Sequence, residues 1–274
     1  MRASVASLIL LSCLFGVAAE AAVNDAGVKV PWSYVGNTGP QHWGMLSPAF
    51  EICDTGKMQS PVNLGRKKTR VPYDLKINYH NAPLDIGENI PTELTIGSNQ
   101  TITNAGHAIQ INFHDKKAKE TITYAGNEYE LVQFHFHSPS ETLWHQQSFP
   151  LEIHFVHQGK DGKAAILAVL IKGGNANPTL EQILNHLPKE QRKEIPVPGV
   201  GVDPSALLPA DQRYYAFMGS LTSPPCSEGF QWIVMPSPIT ASPAQILRVR
   251  QETHGTNARP VQPLNNRVFS YAVQ

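Results

Sequence analysis

In the stretch Gln133-Phe134-His135-Phe136-His137, polar and aromatic residues alternate. Such alternation has the period of a β-strand with one buried face, and it places His135 and His137 on the same side of that strand. A second alternating stretch, Glu152-Ile153-His154-Phe155-Val156-His157, can bring His154 beside them. Three neutral imidazoles can hold a zinc ion and leave its fourth tetrahedral position open, as catalytic zinc sites do. Ordinary sheet histidines are the alternative, and the pattern alone does not decide between them.

Strand-like runs recur along the rest of the chain between glycine, proline and asparagine turn signals. These runs are 74–79, 92–96, 109–113, 120–124, 129–137, 151–157, 164–171 and 230–235. Helical signals are few: leucine and isoleucine recur with helical spacing after Pro178, and Ser242 followed by Pro243 has the pattern of a capped helix start. No internal repeat interrupts this pattern. The sequence therefore predicts one α+β domain that is dominated by a sheet and has a few short helices.

The N-terminal residues have the pattern of a secretory signal peptide. An apolar run from Val5 to Val17 is followed by the small-residue sequence Ala19-Glu20-Ala21. We therefore predict that residues 1–21 are removed and that residues 22–274 form a periplasmic or secreted domain. A lipoprotein attached through Cys13 is the alternative. The apolar run is short for a membrane span, and no later segment approaches one.

Charge and cysteine content narrow the class of protein. The chain has 22 basic and 22 acidic side chains and no formal net charge, which argues against nucleic acid or an anionic membrane as the main partner. Of its three cysteines, Cys13 leaves with the signal peptide. In an oxidising compartment the other two, Cys53 and Cys226, most simply form one disulfide. Two unpaired buried thiols are the alternative.

Several ordered motifs together resemble the α-class carbonic anhydrases, in particular the exported bacterial members. The motifs are the two histidine stretches, Trp32-Ser33-Tyr34, Gly39-Pro40-Gln41-His42-Trp43, Gln59-Ser60-Pro61-Val62, Gly106-His107-Ala108, Gly219-Ser220-Leu221-Thr222-Ser223-Pro224-Pro225-Cys226 and Asn257-Ala258-Arg259-Pro260. The resemblance implies a single domain with a large twisted, mainly antiparallel central sheet and with zinc at the base of a conical cavity. It also implies a zinc lyase that reversibly hydrates carbon dioxide to bicarbonate and a proton.

The resemblance implies a role for each residue around the metal. One Zn²⁺ per chain is bound by His135, His137 and His154, and zinc-bound hydroxide attacks carbon dioxide. Zinc lowers the pKa of its bound water to about 7, an effect for which carbonic anhydrase is itself the reference case. Thr222 accepts a hydrogen bond from the hydroxide and donates its own proton to Glu141, which orients the nucleophile.

Further residues are expected to support the ligands and the proton path. Gln133 and Glu152 each lie two residues before a ligand, on the same strand face, and are expected to hold the second ring nitrogens of His135 and His154. His107 is expected to be the proton shuttle, because an imidazole titrates near neutrality. A hydrogen-bonded cavity histidine with no kinetic role is the alternative reading of His107.

The resemblance also implies a water path and a substrate pocket. Tyr34 and Gln110 are expected to order the waters that lead to the proton shuttle. Carbon dioxide is small and apolar, so its binding site should be an apolar wall beside the metal. The pocket residues by resemblance are Val156, Ile166, Leu221, Ser223 and Trp232. The apolar members of this set would otherwise be read as plain core.

Other functional classes fit the sequence less well. A catalytically silent binding protein on the same fold typically lacks a zinc ligand, whereas all three histidines are present. A zinc-storage protein favours exposed histidine-rich tracts, and the sequence has none. Zinc hydrolases of the His-Glu-x-x-His type are excluded because that motif is absent. The expected partners are the small molecules carbon dioxide and bicarbonate, and a homodimer is compatible with the resemblance.

Overall fold

The computed structural model describes residues 30–65, 68–80, 100–104, 108–113, 119–160, 162–189, 194–195 and 201–273. The expected signal peptide, the expected strand 92–96 and the expected shuttle His107 lie outside these residues. Within them, one large mixed sheet dominates and the helices are short. None of these helices is long and apolar enough to cross a membrane.

The strands are numbered in chain order. They are β1 (Asn63–Leu64), β2 (Lys68–Pro72), β3 (Leu75–Asn78), β4 (Gln100–Asn104), β5 (Ile109–Phe113), β6 (Thr121–Tyr124), β7 (Asn127–His137), β8 (Leu143–Trp144), β9 (Leu151–Gly159), β10 (Ala164–Gly173), β11 (Glu194–Ile195), β12 (Tyr214–Ser220), β13 (Glu228–Ala241) and β14 (Phe269–Val273). The α-helices are α1 (Trp43–Leu46), α2 (Ile52–Thr55), α3 (Pro178–Asn185) and α4 (Pro243–Glu252). Short 3₁₀ turns cover Gly36–Thr38, Pro48–Phe50 and Pro204–Leu207.

The main sheet runs in the order β11-β4-β5-β7-β9-β10-β13-β12-β14-β2, and β6 pairs with both β3 and β7. Most neighbouring strands in it are antiparallel, while β10 with β13 and β14 with β2 are parallel. The predicted sheet-dominated α+β class is therefore confirmed. The strands that carry the histidine stretches, β7 and β9, are adjacent and lie in the interior of this sheet.

The sheet separates two apolar clusters. Phe134, Phe136, Ile153 and Phe155 belong to the larger cluster, which packs on one face. Because successive side chains of a strand point to opposite faces, the three histidines lie on the other face. That second face carries the smaller cluster, which includes Val156, Ile166 and Trp232. The alternation predicted from the sequence thus places aromatic rings and imidazoles on opposite faces.

A bulge in β7 sets this arrangement. Tyr129 and Leu131 pack in the same cluster as Phe134 and Phe136, although the residue numbers of the two pairs differ by odd amounts, which simple alternation would place on opposite faces. The pairing of β7 with β9 shifts register between Leu131 and Gln133, so that one extra residue is accommodated there. The shift reverses the phase of the strand just before the histidines.

Both predicted helices form, and the N-cap expected at Ser242 is present. The Asn177 side chain accepts a hydrogen bond from Leu180 N–H at the start of α3. Ser242 and Gln245 form a reciprocal capping box at the start of α4, which runs through Glu252. Cys53 and Cys226, which lie 173 residues apart in sequence, form the disulfide that the cysteine count favours.

Candidate metal centre

Three imidazoles converge on the face of the sheet opposite the larger apolar cluster. His135 on β7 lies directly opposite His154 on β9, and His137 follows two residues along β7. One ring nitrogen from each histidine lies within 4.8 Å of the others. The ring centroids are 4.4 to 5.3 Å apart. These separations suit three ligands arranged around a single small ion.

The first two histidines are each oriented through Nδ1. His135 Nδ1 lies 2.8 Å from Gln133 Oε1. His137 Nδ1 lies 2.8 Å from the backbone carbonyl oxygen of Asn257. An acceptor at Nδ1 fixes the proton there, which makes Nε2 the nitrogen available for a metal.

The third histidine is oriented through the opposite nitrogen. His154 Nε2 lies 3.1 Å from Glu152 Oε1, close enough for an ion pair although the two atoms are not aligned as a hydrogen bond. Glu152 is fully buried and accepts hydrogen bonds of 2.7 Å from both the backbone N–H and the hydroxyl of Thr142. These bonds fix the carboxylate and, through it, the ring of His154.

The protonation states suit a metal site. Burial lowers the pKa of His137, and burial together with the nearby His137 lowers the pKa of His154 well below its usual value. Both rings are therefore neutral at neutral pH, which is the form that binds metal ions. His137 Nε2 is buried and has no hydrogen-bond partner among the described residues. An unpartnered buried nitrogen facing two other imidazoles fits a zinc ion that would satisfy it.

Glu141 lies beside the imidazoles. Its Oε1 accepts a 2.8 Å hydrogen bond from the backbone N–H of Arg259. Its Oε2 lies 3.5 Å from His137 Nε2 and 3.9 Å from His154 Nδ1, and it is buried with no hydrogen-bond partner in the described part of the chain. Burial raises the pKa of Glu141 well above its usual value, while hydrogen bonding from Thr222 and from the Arg259 backbone acts in the opposite direction.

An apolar wall stands next to these groups. Val156, Ile166 and Trp232 occupy paired positions on β9, β10 and β13. All three are at most 3% exposed, and the Trp232 ring lies edge-on to His154 with its centroid 5.0 Å away. Leu221 packs against the same cluster. The structure thus brings the four predicted apolar pocket residues together beside one of the histidines.

The predicted water-path residues, Gln110 and Tyr34, and the predicted pocket residue Ser223 lie in different parts of the structure. Gln110 on β5 lies opposite His135 in register and donates a 2.6 Å hydrogen bond to Asn112. Tyr34 packs edge-on against Trp43, and burial together with the negative charge of Glu141 raises its pKa well above its usual value. Ser223 is half-buried, and its carbonyl accepts a hydrogen bond from the N–H of Cys226. Both lie in the turn 220–226, named the Thr222 turn.

The family of the chain follows from comparison with known proteins. Residues 38–273 match the family model described as eukaryotic-type carbonic anhydrase. The chain belongs to this family. It is 37% identical to a carbonic anhydrase of Pectobacterium carotovorum, over 98% of this chain and 99% of that protein. It is 36% identical to dioscorin dioA3 of Dioscorea japonica, over 97% of this chain and 94% of that protein.

Solved structures of carbonic anhydrases superimpose on the same fold. A hyperthermostable carbonic anhydrase from an active hydrothermal vent chimney gives a TM-score of 0.78 at 40% identity, over 88% of this chain and 100% of that one. The α-carbonic anhydrase of Thermovibrio ammonificans, solved with the inhibitor sulfanilamide, gives 0.77 at 34% identity, over 88% of this chain and 99% of that one. The resemblance predicted from the motifs is thereby confirmed. The protein is an enzyme of the carbonic anhydrase family, whose zinc-dependent reaction is the reversible hydration of carbon dioxide.

Two residues of the carbonic anhydrase site carry contacts that the sequence analysis did not predict. Asn257 holds His137 through its carbonyl, and its side chain also bonds to Ser138 N–H and to the Phe136 carbonyl. Arg259 holds Glu141 through its backbone N–H. Both residues lie in the motif 257–260 that supports the family resemblance, so a signal was present. It did not indicate a role because backbone atoms make the decisive contacts.

Proposed function

We propose that the chain binds one zinc ion through Nε2 of His135, Nε2 of His137 and Nδ1 of His154. The choice of nitrogens rests on the opposite ring atoms, each of which has a polar partner. The observation that carries the proposal is the buried Nε2 of His137, which lacks a hydrogen-bond partner among the described residues. When bound, zinc acidifies a coordinated water and so supplies a nucleophile at neutral pH.

Thr222 and Glu141 are proposed to orient that nucleophile. Thr222 is buried, and burial raises the pKa of the Glu141 carboxyl well above its usual value, while hydrogen bonding from Thr222 opposes that shift and favours the carboxylate. Glu141 Oε2, buried without an aligned partner in the described part of the chain, is a suitable acceptor for the hydroxyl proton. Because the Thr222 hydroxyl donates its hydrogen bond to Glu141, its oxygen can only accept a hydrogen bond from the attacking oxygen. A lone pair of that oxygen is then directed at the substrate carbon.

Carbon dioxide is proposed to bind against the wall formed by Val156, Ile166, Leu221 and Trp232. The position of Trp232 beside His154 supports this site. A linear apolar molecule gains from contact with buried hydrocarbon and needs no hydrogen bonds from the wall. Ser223, at the edge of the same turn as Thr222, is proposed to contact bicarbonate.

The proton released by the reaction is proposed to leave through His107. Ala108, the next residue, is buried directly before β5, and Gln110 lies opposite His135. Gln110 and Tyr34 are proposed to hold the waters between the metal and the shuttle.

Export is proposed as well, with residues 1–21 as the signal peptide and a periplasmic or secreted enzyme as the product. The disulfide supports an oxidising compartment.

The experiment is stopped-flow hydration of carbon dioxide by the zinc-loaded chain from about pH 6 to about pH 9. His107→Ala is run beside the wild type, with His145→Ala, an exposed histidine, as matched control. We expect zinc-dependent hydration and, in His107→Ala alone, a fall in kcat that imidazole buffer restores. Activity that is equal in all three proteins would remove the shuttle. A zinc-bound wild type without activity would contradict the proposed reaction.

A further inference from the structure

Thr222 and Glu141 come from distant parts of the chain, yet both are fixed on one short segment. We name residues Cys53–Ser60 the brace segment. It begins in α2 and ends just before β1. Its contacts run in two directions, toward the turn that carries Thr222 and toward the residue that holds Glu141.

The Thr222 turn is attached to the brace segment at both of its ends. At the C-terminal end, Cys226 is bound to Cys53 by the disulfide. At the N-terminal end, Ser60 N–H donates to Ser220 Oγ at 2.8 Å and Ser220 N–H donates to Ser60 Oγ at 3.2 Å. These contacts tie both ends of the turn that carries Thr222 to the brace segment.

Glu141 is attached to the same segment through Arg259. The Arg259 N–H bonds to Glu141 Oε1, while its guanidinium extends to the brace segment. There it donates at 2.7 to 2.8 Å to the carbonyl of Cys53, to the carbonyl of Ser60 and to the side-chain oxygen of Gln59. Arg259 is only 2% exposed, so these bonds are shielded from water.

The two directions meet at the side chain of Gln59. Its Oε1 accepts the 2.8 Å bond from Arg259, and its Nε2 donates at 3.0 Å to the carbonyl of Cys226 and at 3.0 Å to Glu228 Oε1. Among side chains, only the amide of Asn or Gln accepts hydrogen bonds through its oxygen and donates two through its nitrogen. Gly56 leaves the space that this amide needs, since a Cβ there would collide with Gln59 Nε2 and Glu228 Oε1.

We infer that Gln59 is a positioning residue that sets the place of Thr222 relative to Glu141. The inference rests on the proposed roles of those two residues. Gln59 lies in the motif Gln59-Ser60-Pro61-Val62, to which sequence analysis assigned no function. Among the described residues, its side-chain hydrogen bonds reach Cys226, Glu228 and Arg259 and include none to the three histidines, Thr222 or Glu141. It acts by joining the carbonyl beside the disulfide to the arginine whose N–H holds Glu141.

Two substitutions of Gln59 remove different hydrogen bonds. Gln59→Met removes the bond accepted from Arg259 and both donated bonds, while keeping the volume of the side chain. Gln59→Glu keeps the acceptor for Arg259 but loses both donors, and it places a carboxylate against Glu228. Gln245→Met is the matched control, because Gln245 is also a buried glutamine; its side chain makes four hydrogen bonds, at α3 and α4 and outside the site.

The readouts are kcat/KM for hydration, zinc affinity and the structure of the metal-free protein. We expect both Gln59 variants to lower kcat/KM by about 10- to 100-fold, the range in which small misplacement of a catalytic group acts. Zinc affinity should stay at the wild-type value. In a crystal structure of metal-free Gln59→Met, Thr222 should lie farther from Glu141 than in the wild type. Gln245→Met should lose stability but keep kcat/KM.

A double variant tests whether Gln59 acts through Thr222. In a Thr222→Val background, Gln59→Met should cause little further loss of kcat/KM. Full additivity would overturn the inference. So would wild-type kcat/KM in both Gln59 variants, or failure of both to fold when Gln245→Met folds, which would assign Gln59 to stability alone. An inactive zinc-loaded wild type would instead contradict the proposed function, and the displacement of Thr222 in the metal-free crystal would still report on Gln59.

Discussion

Among the single residues of the site, Glu152 offers the sharpest test of how a ligand is held. It is fully buried, it lies 3.1 Å from His154 Nε2, and Thr142 fixes it with two hydrogen bonds. Glu152→Gln removes the negative charge that polarises the ring, so we expect zinc affinity to fall about 10- to 100-fold. Competition with a chelator in metal-buffered solution measures this change.

Glu130→Gln is the control for Glu152→Gln. Glu130 lies on the neighbouring strand β7 and pairs with Lys119 at the surface, away from the histidines. Its substitution should leave zinc affinity unchanged. Equal affinities for wild type and Glu152→Gln would show that the carboxylate does not tune the ligand.

At this scale the sequence predicts side-chain partners well and backbone partners poorly. Gln133 and Glu152 could be identified because a spacing of two on a strand places them on the face of their histidines. The acceptor for His137 is a carbonyl, which every residue possesses, so nothing marks Asn257 in advance. The same holds for the N–H of Arg259 that holds Glu141.

At the scale of elements, the bulge of β7 determines which face carries the histidines. Val132 is the additional residue at the register shift between Leu131 and Gln133. Deleting it would leave Phe134 two positions after Leu131, so simple alternation would keep both in the larger cluster and the histidines on the opposite face without a bulge. We therefore expect the deletion variant to fold and to bind zinc.

Zinc content by mass spectrometry and secondary structure by circular dichroism measure the effect of the deletion. Insertion of one glycine beside Gly126, in the exposed turn between β6 and β7, is the control and should retain zinc. A Val132 deletion that folds but no longer binds zinc would contradict the role assigned to the bulge.

The elements that the sequence analysis missed share a physical cause. Nearly all of β12 is buried, so its sequence lacks the alternation of polar and apolar residues that identifies a strand with one solvent-exposed face. The prediction for β13 ended at Met235 because Pro236 and Pro238 follow. The structure continues to Ala241, since the pairing with β10 shifts register across these prolines.

For the whole molecule, the disulfide is the largest single constraint on the unfolded chain. It joins residues 173 apart in sequence, for which loop-closure entropy predicts about 5 kcal/mol, and measured bridges usually give less. We expect Cys53→Ser with Cys226→Ser to lower the free energy of unfolding by about 2 to 5 kcal/mol in urea titrations. Reducing the wild type should give a similar loss, and no loss in either case would contradict this account.

The order of the strands is the feature that sequence reasoning could least supply. Strand β10 lies between β9, its neighbour in sequence, and β13, which is separated from it by α3, β11 and β12. Local patterns report which face of a strand is buried but not which distant strand covers its edge. The family resemblance, through its ordered motifs, provided the architecture that periodicity could not.

The stability of the whole protein should also depend on pH through His157. This ring is buried on the face opposite the metal site, with Nε2 2.6 Å from the Tyr79 hydroxyl and Nδ1 3.4 Å from the Ala165 carbonyl. Burial lowers its pKa to about 3, whereas in the unfolded chain it is about 6.5. Between these values the unfolded state binds the extra proton, so stability is retained above about pH 6.5 and falls as the pH drops toward 3.

His157→Gln removes the titrating group while keeping a polar partner for Tyr79. From about pH 7 to about pH 5, the chelated wild type should lose about 2 kcal/mol more stability than this variant, as measured by urea unfolding at each pH. The histidines of the metal site titrate equally in both proteins, so the difference isolates His157. Parallel losses in the two proteins would mean that His157 already carries its proton in the folded state, which its lack of a carboxylate among the hydrogen-bond partners described above argues against.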